Sequence, residues 1–69
     1  MRIHIINPNT TVSMTRKIDA AARAAASAGV EILADNPAYG PPSIEGYFDE
    51  AFSLPGLLEE IGKRPDANA

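Results

Sequence analysis

The residues best suited to chemistry lie in the run Asn7-Pro8-Asn9-Thr10-Thr11, which offers two amides and two hydroxyls immediately after a β-branched segment. That segment, Arg2-Ile3-His4-Ile5-Ile6, reads as a buried strand that breaks at Asn7-Pro8, a turn-favouring dipeptide. A helix is predicted to start at Thr11. The run would then face free backbone N–H groups and the positive end of the helix dipole, a setting that favours an anion such as a carboxylate. Asn9 and Thr10 are equally good helix caps, so the local sequence leaves capping and ligand binding both open. A phosphate-cradling loop needs glycine, and none stands between Ile6 and Val12, which excludes a dinucleotide or P-loop reading. Asn9-Thr10-Thr11 also fits the glycosylation acceptor pattern, an accidental match where no secretory h-region is seen.

A second polar turn, Gly40-Pro41-Pro42-Ser43-Ile44-Glu45-Gly46, falls at the carboxyl end of the next strand. Ser43 is predicted to cap the helix that follows, with Glu45 in its first turn. Glu45 and Asp49 share a helix face and read as a solvated surface, not as an acid/base pair. His4 reads as a packed or edge-facing strand residue, not as a ligand. With one His and zero Cys, disulfides and cysteine-based or clustered-histidine metal sites are excluded. Tyr39, Tyr47, Phe48 and Phe52 read as core or loop packing.

The elements that position these turns follow from hydrophobic spacing. Met14, Ile18, Ala21, Ala22 and Ala25 recur at helical steps, predicting a helix from Thr11 to Ala28 with Gly29 as its stop. The pair Asp19/Arg23 stands at i,i+4 on its exposed face. Val30 to Asp35 is a second strand, ended by Asn36-Pro37. Residues 36–42 hold three of the six prolines and form a loop. From Ser43 to Lys63 an apolar stripe through Ile44, Tyr47, Phe48, Ala51, Leu58 and Ile61 predicts a helix, kinked or divided at Pro55. Glu59/Lys63 and Glu60/Arg64 stand at i,i+4 along it. The order β-α-β-α is the start of an open parallel, flavodoxin-like α/β sheet, in which ligands gather at the carboxyl ends of the strands. The chain is then expected to enter a third strand beside the first, at Asp66-Ala67-Asn68-Ala69. It is therefore read as the N-terminal piece of a larger protein.

Composition narrows the partners. The chain has 69 residues, six basic against nine acidic, and a net charge of −3. Six scattered cations do not make a nucleic-acid surface, and no apolar run approaches the roughly 20 residues of a membrane helix. No nucleic acid, no membrane and a cytoplasmic location are expected.

Taken together, Met1 to Thr10, Ser13-Met14-Thr15, Asn36-Pro37-Ala38, Gly40-Pro41, the block Ser43-Ile44-Glu45-Gly46-Tyr47-Phe48-Asp49-Glu50-Ala51 and Pro55-Gly56-Leu57-Leu58 resemble the N-terminal quarter to third of hydantoin racemases, members of the aspartate/glutamate/hydantoin racemase superfamily. The resemblance spans essentially the whole chain. It implies the first part of a two-lobe racemase fold that inverts an α-carbon without a cofactor. Two cysteines, one per lobe, would exchange the proton across the substrate. It also implies substrate contacts from Asn9, Thr10, Ser43 and Ile44, and a small-molecule substrate such as a hydantoin, an allantoin or an amino-acid derivative. The full-length protein is expected to be a homo-oligomer. No cysteine is present in these residues, so the first catalytic one is expected shortly beyond Ala69 and the 69 residues alone are expected to be inactive. The competing reading is a noncatalytic α/β module that binds a small anion or a partner. Within the superfamily, a decarboxylase or a cis-trans isomerase is a further alternative.

Overall fold

A computed structural model describes all 69 residues as β1 (Arg2–Ile6), α1 (Val12–Ala25), β2 (Glu31–Asp35) and α2 (Tyr47–Gly62). The two strands pair in parallel, with Arg2 opposite Glu31 and Ile6 opposite Asp35. This is the expected α/β order. Side chains alternate across a sheet, so Ile3, Ile5, Ile32 and Ala34 share one face, and Arg2, His4, Ile6, Leu33 and Asp35 share the other. The packing of α1 against β2 leaves Ile32 as the most deeply buried apolar strand residue, at 4% exposure.

Beyond α2 the chain returns to the free edge of β1. Asn68 N–H donates to the Arg2 carbonyl at 2.8 Å, and His4 N–H donates to the Ala69 carbonyl at 2.7 Å. A longer bond of 3.3 Å from Ala69 N–H to the Arg2 carbonyl completes the pair flanking Ile3, the pattern of a parallel ladder. Residues 68 and 69 thus bond to the edge of β1 that β2 leaves free, while the sheet itself consists of β1 and β2 alone.

Four expectations differ from what is found. First, α1 ends at Ala25, not Ala28. Ala26 turns to an extended conformation (φ −69°, ψ 143°), and its N–H closes the last turn on the Ala22 carbonyl at 2.9 Å. Residues 26–30 are needed to bring the chain back to β2, where Glu31 N–H must reach the Met1 carbonyl, and Gly29 at φ +85° makes that reversal. Second, α2 begins at Tyr47, so Ser43 is not its cap and Glu45 lies outside it. Gly46 takes the capping position. The Asp49 carboxylate reaches back to accept the Glu45 N–H at 3.1 Å, which resembles half of a capping box one residue out of register. Third, α2 runs as one helix through Pro55. The adjoining Gly56 is buried against the 37–39 loop. A Cβ there would lie 2.6 Å from the Tyr39 carbonyl and 2.9 Å from Pro37 Cβ, so close packing holds the helix in place where propensity alone would break it.

The fourth difference concerns the stripe on α2. Tyr47 is 92% exposed and Phe48 80%, with Phe52, Leu54, Leu58 and Ile61 also exposed, so these side chains are not core. The Phe48 and Phe52 rings lie tilted by 33° to each other, with centroids 6.1 Å apart. The predicted i,i+4 pairs of α2 are replaced as well. Lys63 pairs with the buried Glu60 at 2.8 Å, one residue nearer than the expected Glu59, and Arg64 turns to Asp35 on β2 at 3.3 Å. The Asp19/Arg23 pair forms as expected, at 2.7 Å.

Candidate functional site: the loops at the strand carboxyl ends

Asn7 follows the last residue of β1, and its N–H donates to the Asp35 carbonyl at 2.9 Å, extending the sheet by one bond. Its side chain turns back under the loop and is 3% exposed in an almost wholly polar environment. The Asn7 amide nitrogen donates to Asn9 Oδ1 at 2.9 Å and lies 3.2 Å from Thr15 Oγ1 and 3.3 Å from the Thr11 carbonyl. Its Oδ1 accepts the Asn9 N–H at 3.3 Å. Thr15, on the first turn of α1, hands the network across to the second loop by donating to Asn36 Oδ1 at 2.8 Å. No buried side-chain polar atom is left without a partner, as low-dielectric surroundings require.

Asn9 is 7% exposed and also belongs to this network. Its Oδ1 accepts two N–H groups, one from Asn7 and one from the Thr11 backbone at 3.1 Å. Its amide nitrogen meets the Met14 sulfur at 3.4 Å. The structure thus assigns the capping position to Thr11, whose side chain makes no capping bond, while Asn9 bonds the Thr11 N–H from outside the helix. Thr10 is half-buried and is not a cap: its N–H donates to the Pro41 carbonyl at 3.0 Å, and its methyl group lies over Gly40.

Two bonds bring the predicted site residues into one region. Thr10 N–H to the Pro41 carbonyl and Thr11 Oγ1 to the Pro42 carbonyl fasten the 7–11 loop to the 36–43 loop at the carboxyl ends of both strands. Ser43 and Ile44 follow directly. Ser43 is exposed, with its hydroxyl 3.5 Å from Glu45 Oε1, and Ile44 is half-buried in an irregular segment. The chain's concave surfaces lie elsewhere, at the amino end of β2, on the outer face of α2, and between β1, Ile61 and Arg64. The two loops therefore form an open wall and not an enclosed pocket. No group of His, Asp and Glu is arranged to hold a metal ion.

Reasoning from sequence singled out Asn7 and Asn9 but missed Thr15 and Asn36, which tie the two loops together. A signal was present. A threonine one helical turn after Thr11 is a poor interior helix residue unless its hydroxyl has a partner, and Asn36-Pro37 repeats the Asn-Pro punctuation of Asn7-Pro8 at the end of the second strand.

A parallel sheet with a polar loop wall at its carboxyl edge defines an open α/β domain of the kind that binds small ligands there. The Asp/Glu/hydantoin racemase family model matches residues 3–69, and the chain belongs to that family. A hydantoin racemase of Pseudomonas sp. (strain NS671) is 52% identical over 63 residues, which is 91% of this chain and 25% of that protein. One from Rhizobium meliloti is 49% identical over 61 residues, covering 88% of this chain and 25% of the relative. Among solved structures, an allantoin racemase from Klebsiella pneumoniae superposes with a TM-score of 0.90 at 55% identity, covering 96% of this chain and 27% of that one. The chain thus spans about a quarter of the length of the relatives it matches.

Proposed function

We propose that these 69 residues form the first part of the first lobe of a cofactor-independent racemase acting on a hydantoin, an allantoin or a related amino-acid derivative. The observation that carries this reading is the match at 55% identity and TM-score 0.90 to an allantoin racemase, together with the two racemase loops held side by side by Thr10 and Thr11. Asn9, Thr10, Ser43 and Ile44 are proposed to line one wall of the substrate cleft. The opposing wall, and the acid and base, come from the rest of the protein.

The chemistry requires a proton to leave the substrate α-carbon on one face and another to arrive on the opposite face. A cysteine thiolate takes the first, leaving a carbanion delocalised into the adjacent carbonyl, and the thiol of a second cysteine supplies the other. The pair ends with its protonation states exchanged. A thiolate serves as base only where neighbouring donors and helix ends lower its pKa, and the developing oxyanion needs positioned hydrogen-bond donors. The 69 residues contain no cysteine, so neither step can be run by them alone. A cytoplasmic setting suits this mechanism, because the thiols must stay reduced. We also propose that the full-length protein assembles from identical subunits.

The test is exchange of the substrate α-proton in deuterated water, followed by NMR with a 5-substituted hydantoin and with allantoin. The full-length protein is expected to catalyse exchange and racemisation of at least one of them, and the 69-residue chain neither. Exchange catalysed by the 69 residues would remove the two-cysteine reading. Failure of the full-length protein with every hydantoin, allantoin and amino-acid derivative tried would remove the proposed reaction.

A further inference from the structure

Resting on the proposed substrate role of Asn9, we infer that Asn7 and Thr15 are positioning residues that turn the Asn9 carboxamide so that its N–H₂ end, and not its oxygen, is presented to the substrate. The orientation of an amide is decided by partners whose own polarity is fixed. Here that partner is the Thr11 backbone N–H, which can only donate, so the atom 3.1 Å from it must be the Asn9 oxygen. Asn7 supplies a second donor to the same oxygen at 2.9 Å. Both acceptor positions of Asn9 Oδ1 are thereby occupied by the protein.

The nitrogen end is held differently. Its one partner is the thioether of Met14 at 3.4 Å, and a thioether sulfur is a weak acceptor. A substrate carbonyl or carboxylate oxygen is a stronger one, so exchanging the sulfur for such an oxygen is favourable. Met14 is 44% exposed and stands at the rim, where its flexible side chain can yield. Thr15 does not touch Asn9. It lies 3.2 Å from the Asn7 amide nitrogen and donates onward to Asn36 at 2.8 Å, and so fixes the rotamer of the residue that fixes Asn9. The site therefore selects a ligand with an acceptor oxygen at this point and disfavours one presenting a donor there.

The experiment compares steady-state constants of the full-length protein and its Asn9→Asp, Asn9→Ala, Thr15→Val and Thr15→Ser variants, with thermal denaturation confirming that each is folded. Asn9→Asp keeps the acceptor atoms and removes the donor. It is expected to raise KM about tenfold or more, as loss of one hydrogen bond to substrate does. Thr15→Val, which keeps the shape and removes the hydroxyl, is expected to raise KM by roughly threefold to tenfold with a smaller effect on kcat, and Thr15→Ser to restore it. Wild-type KM in Asn9→Asp, with a raised KM in Asn9→Ala, would overturn the donor assignment. Wild-type KM in folded Thr15→Val would overturn the positioning role while leaving Asn9 at the site. Wild-type KM in Asn9→Ala would remove Asn9 from substrate contact, and with it the reading on which the inference rests.

Discussion

The loops at the carboxyl ends of the strands and the outer face of α2 reverse the usual relation between polarity and burial. In the 7–11 loop Asn7 and Asn9, and on the adjoining first turn of α1 Thr15, are each below 10% exposed, whereas on α2 Tyr47, Phe48 and Leu58 are each above 60%. Polar groups tolerate burial when they find hydrogen-bond partners, and no buried side-chain N or O atom in the loop network lacks one. Apolar groups left in water contribute no burial to the stability of the helix that carries them. The first region thus finds partners for its buried polar side chains within the chain. The second leaves its apolar side chains uncovered by these 69 residues.

Substitutions that break the contrast should rank by how little room or how few alternative partners they leave. Gly56→Val is expected to be the most damaging, costing about 3 kcal/mol or more by equilibrium denaturation, because the Cβ alone would come within 2.6 Å of the Tyr39 carbonyl. Gly62, whose Cβ would meet nothing within 4 Å, is its control: Gly62→Ala should stabilise by about 0.5–1 kcal/mol. Asn7→Ala comes next. It strips Asn9 Oδ1 of one donor and leaves the Asn9 N–H without its acceptor, a loss of about 1–3 kcal/mol in the same measurement.

Phe48→Ser on α2 should by contrast change the stability of the 69-residue chain by less than about 0.5 kcal/mol, since the ring is already 80% exposed. A cost above about 2 kcal/mol in the full-length protein would show that another surface covers the ring there. The smallest effect concerns Lys63, whose pKa is raised above the ordinary lysine value, first by its hydrogen bond to Glu60 and then by the charge of that carboxylate. A cation with a raised pKa contributes stability that is fully present below about pH 10.4 and is lost as pH rises through its higher folded value. Thermal midpoints should therefore be insensitive to this pair between neutrality and about pH 10 and lose its contribution only above that. Lys63→Met should flatten that alkaline fall.

The sequence made the order of elements legible because each signal there is local. The β-branched run before Asn7, the alanine-rich periodicity after Thr11 and the proline-dense 36–42 loop need no distant partner to be interpreted. Boundaries were less legible where a distant contact decides them. Ser43 satisfies every local rule for a cap, yet α2 starts at Tyr47, with Asp49 bonding the Glu45 N–H and Gly56 seated against Pro37. Similarly, Arg64 takes its partner at Asp35 on β2, which spacing along one helix does not reveal, while Lys63 pairs with Glu60 at i,i+3 in place of Glu59 at i,i+4. At the candidate site, the types and grouping of Asn7, Asn9 and Thr10 could be read directly. What spacing could not show is that Thr15 and Asn36 join the two loops, because that bond spans 21 positions. The α2 stripe was legible as apolar but misread as core, since periodicity reports that a face seeks cover without reporting whether the same chain provides it.

The most direct test of the account is a crystal structure of the full-length protein with a 5-substituted hydantoin bound. The account predicts a ligand oxygen about 3 Å from Asn9 Nδ2, with the Met14 sulfur displaced and the Asn9 oxygen still bonded to the Thr11 N–H. A ligand bound away from the 7–11 and 36–44 loops, or one approached by the Asn9 oxygen, would contradict it.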